Sequence, residues 1–167
     1  QAPADAQFIG RWSPRAFNGE ALSHAQVMAL IEAARWAPSC FNSQPWRFIY
    51  ATKDSEHWPA MLNLLMDMNQ AWAQHAGALI AVVSRKTFQG NDAPAPTHSF
   101  DTGAAWMSLA LQAQAMGLAS HAMWGIEHND IPAALHLPDN MQTEAMVAAG
   151  AVGNKADLPE PLQEREQ

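Results

Sequence analysis

The sequence predicts a mixed α and β fold built on one hydrophobic core. Segments of helical and of strand character alternate along the chain, with about four strands and one very apolar helix. The length of 167 residues, with 49% hydrophobic and 15% charged side chains, suits a single domain spanning residues 1–167. Alternation by itself leaves α/β and α+β arrangements open. No internal repeat and no second domain are visible.

Ser23 opens the first clear helix: its hydroxyl can cap, and Gln26 three residues later completes a capping box. Val27, Leu30, Ile31 and Ala34 then recur at helical spacing to about Trp36, and Pro38 is expected to stop the helix. Pro38 to Pro45 reads as a loop and Trp46 to Thr52 as a strand. Glu56 to His75 is helical in character, with a break expected near Asn69. After Gly77, Ala78 to Ser84 is a near-continuous apolar run suited to a strand covered on both faces. Arg85 to Thr97, with Gly90, Pro94 and Pro96, reads as a long loop of the kind that often serves as a lid. From Ser99 or Phe100 to Met116, Ala, Leu and Met lie nearly all round, predicting a helix buried on most faces and stopped by Gly117. A strand over Leu118 to Trp124, a short helix around Asp130 to Leu135 and a last strand over Glu144 to Val152 follow. The tail from Asn154 is polar and carries Pro159 and Pro161.

Composition narrows the partners. A net charge of -7 and a pI of about 5.3 argue against nucleic acid recognised through its phosphates. No apolar run reaches the ~18 residues needed to span a bilayer, so no membrane partner is expected. Small molecules and other proteins remain. Cys40 is the only cysteine, which rules out an intrachain disulfide and suits a reducing compartment; a cytoplasmic location is the expectation. No charged, apolar, small-residue leader pattern follows Gln1. Seven Trp are a heavy load for this length and suit either a Trp-rich core or an interface and cofactor contact.

Several common chemistries are missing. Neither G-x-G-x-x-G nor G-x-x-x-x-G-K-[ST] occurs, so neither a Rossmann fingerprint nor a P-loop is supported. There is no H-E-x-x-H, and His121, His128 and His136 lack ligand spacing, so no metal is expected. Cys40 has no histidine in its motif to act as a base, which favours a small half-buried residue over a nucleophile.

Two segments carry a more specific signal. In Arg11-Trp12-Ser13-Pro14-Arg15-Ala16-Phe17, two of only nine basic residues sit four apart around a serine, a donor set suited to phosphate oxygens. On composition alone, two surface arginines are the more ordinary reading. In Ala34 to Phe48 a helix end runs through Pro38-Ser39-Cys40-Phe41-Asn42-Ser43-Gln44-Pro45 into a strand. Small side chains there allow close approach to a flat ring, with Asn42 and Gln44 as donors and acceptors. Taken alone, this is equally a structural turn.

Together, in this order and separation, the two segments resemble the nitroreductase family, whose members carry an R-x-S-x-R-x-F-like motif and then A-P-S-S-x-N-x-Q-P-W-x-F. Cys40 stands where many members have Ser. The resemblance runs along essentially the whole chain: Asn69 with Trp72, the Asp101 to Gly117 helix, and Gly117-Leu118 through Met123-Trp124-Gly125 all have counterparts. It implies a nitroreductase-like α+β fold, with a central, mostly antiparallel sheet flanked by helices in an intertwined homodimer. It also implies one non-covalent FMN per composite site. Carried over, Arg11, Trp12, Ser13 and Arg15 would hold the phosphate and ribityl chain. Pro38, Ser39, Cys40 and Asn42 would come from the neighbouring subunit. Asn69 would contact the pyrimidine edge, and the backbone of Trp124 and Gly125 would lie near the redox-active nitrogen. Many members add a basic phosphate ligand near the C-terminus; here Lys155 and Arg165 are poor substitutes, consistent with either a short subfamily or a cut chain.

The implied activity is NAD(P)H-dependent, ping-pong reduction of a small-molecule electron acceptor such as a nitroaromatic, a quinone or another conjugated electrophile. The flavin carries the chemistry, so no catalytic side chain is named. The same fold also serves reductive dehalogenation and flavin breakdown, and a non-catalytic module that senses or stores FMN is a further alternative. The lid-like Arg85 to His98 loop is expected to set which of these activities the fold carries, and its sequence does not reveal the choice.

Overall fold

A computed structural model describes residues 3–166; the ends of the chain at Gln1 and Gln167 lie outside them. Its elements in chain order are α1 (Ala6–Gly10), α2 (His24–Arg35), β1 (Trp46–Thr52), α3 (Trp58–Leu62), α4 (Asp67–Ala73) and β2 (Ala78–Arg85), followed by α5 (His98–Ala115), β3 (Ala119–Met123), α6 (Ile131–Ala134), β4 (Met141–Gly150) and α7 (Glu160–Gln163). Strand order in the sheet is β1-β2-β4-β3, and every neighbouring pair is antiparallel. The α+β expectation holds.

The apolar run of β2 explains its central place. Ala78, Ile80 and Val82 face α2 and α5, while Leu79, Ala81 and Val83 face the α3 and α4 side, and all six are buried. A strand with two buried faces needs apolar residues at both parities. In β4, Ala149 and Val147 join the first layer, and Ala148 and Met146 the second. β1 and β3 form the sheet edges.

The capping box of α2 forms as expected: the Ser23 hydroxyl accepts from the Gln26 amide, and the Gln26 side chain accepts from the Ser23 amide. α2 closes one turn before Pro38, with Trp36 as its cap. α5 ends in two reverse-turn bonds, Leu118 N–H to Ala113 O at 2.8 Å and Gly117 N–H to Gln114 O at 2.9 Å, with Gly117 at φ +71°.

Other expectations need correction. The Glu56 to His75 segment does break, but at residues 63–66, where Leu65 forms an isolated bridge with Ile126; Asn69 lies inside α4. α5 is not buried on most faces within one chain: Asp101, Thr102, Ala105, Leu109, Ala110 and Ala113 form one buried stripe, while Phe100 is exposed. Small Ala side chains raised the apolar count all round without implying that every face is covered. The last strand starts at Met141 rather than Glu144, and Val152 lies beyond it in a bridge to Phe17. A bulge between Val82 and Val83 leaves Glu144 unpaired on β4, re-aiming its side chain. The polar tail is partly ordered, with α7 and a buried Leu158. α1, five residues capped by Asp5, is too short for periodicity to reveal.

Candidate functional site

The Arg11 to Arg15 segment packs beside the edge strand β3. Arg11 Nη1 donates to Ser13 Oγ at 3.3 Å, pairing a cation with a hydroxyl. Arg11 and Trp12 line a small cavity of about 70 Å³ with Ala110 and Gln114 of α5, Ala119 and Ser120 of β3, and Val152. Within it, the buried Ser120 hydroxyl and the Gln114 side-chain carbonyl have no hydrogen-bond partner among the described residues. Unpaired buried polar atoms are costly and call for an explanation such as an unseen ligand or water. Arg15 is anchored differently: its amide and that of Ala16 both donate to the Glu166 carboxylate, at 2.9 Å each. Lys155 donates to the Glu166 carbonyl at 2.8 Å, so its ammonium is already engaged.

His121 joins the two parts of this segment. Its Nδ1–H donates to the Pro14 carbonyl at 2.9 Å, and its ring lies 4.7 Å from Trp72. Burial pushes the imidazole below its ordinary pKa of 6.5. The Pro14 bond opposes this, Arg15 adds to it, and Glu166 and a Ser13 backbone bond oppose it.

At the other end of β3 the chain turns through Trp124 and Gly125. Asn69 Nδ2 donates to the Gly125 carbonyl at 3.0 Å, and the Met66 amide donates to the same oxygen at 3.0 Å. A Cβ on Gly125 would sit 2.7 Å from Asn69 Nδ2, so this close approach depends on glycine. Trp124 is 67% exposed and packs on His128, with ring centroids 4.2 Å apart. Arg11–Ser13 and Asn69–Gly125 thus mark the two ends of a stretch up to about 20 Å long.

Pro38, Ser39, Cys40 and Asn42 stand elsewhere. They form a tight turn at the N-terminal end of α5, where the Cys40 amide donates to Asp101 Oδ2 at 3.1 Å and Thr97 Oγ1 to the same oxygen at 3.0 Å. Ser39 Oγ accepts from the Gln44 amide at 3.0 Å. At about 1.5 Å rise per residue, α5 holds Asp101 about 20 Å from Gln114, near Arg11. Within one chain, the turn and the arginine segment therefore do not converge. No base is bonded to the Cys40 thiol among the described residues.

Sequence reasoning missed several of these groups. Asp101 was legible as the only Asp, Glu, Lys or Arg in the α5 segment. Ser120, Gln114 and Glu166 carried no motif, and only packing brings them to the site. A Ser84–His98–Glu144 cluster also escaped notice. His98 Nδ1 lies 2.8 Å from Ser84 Oγ, whose proton goes to Glu144, and Ser99 Oγ donates to Glu144 at 2.7 Å. Hydroxyl and carboxylate both meet the same ring nitrogen, and Ser84 is fully buried, so this is a structural clasp rather than a nucleophile relay. Among the described residues no three His, Cys, Asp or Glu side chains group to hold a metal ion, and no helix is long and apolar enough to cross a membrane.

The model of the nitroreductase family matches residues 9–70 and 58–154. A solved structure described as an oxidoreductase containing FMN is 47% identical, with a TM-score of 0.96 over 99% of this chain and 85% of that one. A candidate nitroreductase in complex with FMN from Exiguobacterium sibiricum 255-15 is 24% identical, with a TM-score of 0.78 over 96% of this chain and 93% of its own. An uncharacterised 15.4 kDa protein of Mycolicibacterium smegmatis is 33% identical over 103 residues, which are 61% of this chain and 67% of that protein.

Proposed function

The chain belongs to the nitroreductase family of oxidoreductases, and from that membership we propose that it is a cytoplasmic, homodimeric FMN enzyme. It takes reducing equivalents from NADH or NADPH and passes them to a nitroaromatic, quinone or similar conjugated acceptor in ping-pong turnover. The observation that carries this reading is the placement of Arg11–Ser13 and Asn69–Gly125 at the two ends of one edge strand. That spacing suits a molecule with an anionic group at one end and a polar-edged ring at the other.

The residues present fit FMN. Arg11 and Ser13 supply a cation and a hydroxyl for the phosphate, and the unpaired Ser120 hydroxyl and Gln114 carbonyl lie beside them. Trp12 and Arg15 complete the phosphate and ribityl side in this assignment, although the Arg15 backbone is committed to Glu166. Gly125 would let the backbone approach the ring, and Asn69, held by its bond to the Gly125 carbonyl, would serve the pyrimidine edge. The exposed Trp124 carries its backbone to the same place. Pro38, Ser39, Cys40 and Asn42 lie about 20 Å along α5 from the Arg11 end of this site, which supports their serving the neighbouring subunit's site.

When bound, FMN supplies the two-electron chemistry that these side chains lack. The chain's own part is to bind the phosphate, orient the ring and present a polar edge that favours the reduced, anionic form. No side chain is assigned as acid or base.

Purified or reconstituted protein should be yellow and release FMN rather than FAD on heating, as read by chromatography. It should oxidise NADH or NADPH when a nitroaromatic or quinone is added. Release of FAD, or no flavin after reconstitution, would sink the cofactor assignment. Flavin without turnover across an acceptor panel would leave a storage or sensing module.

A further inference from the structure

We propose that Glu166 is a positioning residue for the flavin phosphate: it fills the anion cup made by the Arg15 and Ala16 amides, and so leaves the Arg15 guanidinium free to meet the phosphate. The proposal rests on the FMN reading above. Arg15 lies at a bend. Its amide and that of Ala16 converge on one carboxylate oxygen, Oε1 of Glu166, at 2.9 Å each, and Oε2 takes the Arg15 amide a second time at 3.2 Å. Successive amides aimed at one centre make a backbone site for an anion. Here the anion belongs to the chain itself and comes from 151 residues further along. Glu166 is only 6% exposed. A carboxylate this deep needs a cation or several N–H donors. Among the described residues it forms no ion pair, and the half-buried Arg15 has neither an ion pair nor a hydrogen bond at its guanidinium. A direct pair between the two would cancel the arginine's charge. Bonded to the backbone instead, Glu166 fixes where the Arg15 side chain starts and leaves its five donors unused.

Both sides of this contact are held by their own surroundings. His121 Nδ1–H donates to the Pro14 carbonyl at 2.9 Å, the Gly153 amide to Ala16 O at 2.8 Å and the Asn18 amide to Ala151 O at 3.1 Å, while Phe17 bridges Val152. A Cβ on Gly153 would lie 2.5 Å from the Phe17 carbonyl, so glycine lets the two stretches of chain touch. On the tail, the Asn154 side chain accepts from the Ala156 amide at 3.0 Å, and Gln163 Nε2 donates to Leu158 O at 2.8 Å. Lys155 Nζ donates to Glu166 O at 2.8 Å, and Leu158 is buried. An ordered unit therefore delivers the carboxylate to the bend. With its backbone so engaged, the segment has the Arg15 side chain left for a ligand. Beside the Arg11–Ser13 pair, it would give the phosphate two cations and a hydroxyl.

The test measures binding of FMN, and of riboflavin, which lacks the phosphate, by equilibrium dialysis against the full chain stripped of its flavin. Glu166→Ala should weaken FMN roughly tenfold, the scale of one lost charge-assisted hydrogen bond, and riboflavin by much less. Glu166→Asp keeps the charge but draws the oxygens back by one methylene, so it should also lose FMN selectively. Glu166→Gln keeps Oε1 in place without the charge and should stay within about threefold of the parent, the scale of one weak neutral bond. In an Arg15→Ala background, Glu166→Ala should add little, because residues that act through one contact are not additive. Equal loss of FMN and riboflavin, or full additivity with Arg15→Ala, would overturn the proposal and leave Glu166 a contact of the fold. The reverse ranking, with Asp like the parent and Gln like Ala, would overturn it in favour of charge. Tighter FMN binding in Glu166→Ala would overturn it too, making the carboxylate a plug that the phosphate must displace. If the Ala variant does not fold, the Asp and Gln pair decides by the same FMN-to-riboflavin ratio. Failure of the parent to take up either flavin would instead overturn the cofactor reading, and the role of Glu166 with it.

Discussion

His121 shows how one residue couples the arginine segment to the sheet. Its folded pKa lies below the ordinary 6.5 chiefly because burial disfavours the charged ring. The neutral form is therefore favoured in the folded state. Stability is fully present above about pH 6.5 and is lost as pH falls from there through the folded pKa, because the unfolded chain binds the proton first. Thermal melts across this window should show Tm falling with pH in the native protein and falling less in His121→Gln. Equal slopes would remove His121 as the cause. Cys40 makes the opposite case. Its backbone amide is committed to Asp101, but among the described residues no base is bonded to the thiol. Cys40→Ser should thus keep flavin and most turnover; a kcat loss beyond ~100-fold with flavin bound would point to direct chemistry.

The helix ends rest on local chemistry that was legible in advance. Ser23→Ala removes one side of an observed capping box and should cost about 1 kcal/mol. Gly117→Ala meets no atom within 4 Å, so its cost is conformational alone, about 1 kcal/mol for a Cβ at φ +71°. Urea unfolding should show each as a lower midpoint with an unchanged slope. A Gly117→Ala midpoint equal to the parent's would mean that the turn relaxes. The boundaries that went astray share a physical cause. Helices of four to seven residues such as α3, α4 and α6 take their stability from tertiary packing rather than from their own periodicity. The start of β4 depends on pairing with Arg85 across the bulge, a contact 56 residues away in sequence.

For the whole molecule, the separation of the two motif segments along α5 makes the assembly testable. Arg11→Glu sets a negative charge against the proposed phosphate position, and Ser39→Trp crowds the turn proposed to meet the partner's ring. Each homodimer should lose FMN from both sites. In a co-expressed heterodimer of the two, one site collects both lesions and the other neither, so about half the FMN and activity per dimer should return through two-fold symmetry. A verified heterodimer with no recovery would place both segments in one subunit's site.

The sequence by itself determined the alternation of elements, the central place of β2, the cap of α2, the stop of α5 and the two motif segments that point to the family. These follow from periodicity, turn chemistry and residue order, all of them local. Tertiary structure decided what depends on neighbours distant in the chain. Packing left one face of the apolar α5 uncovered by its own chain, the Asn69 amide met the Gly125 carbonyl, and Glu166 took the Arg15 and Ala16 amides. It also set Phe41 against Phe88 across 47 residues of chain. Each of these contacts is fixed by where the sheet brings segments together, a choice made by burial over the whole core rather than by any local pattern.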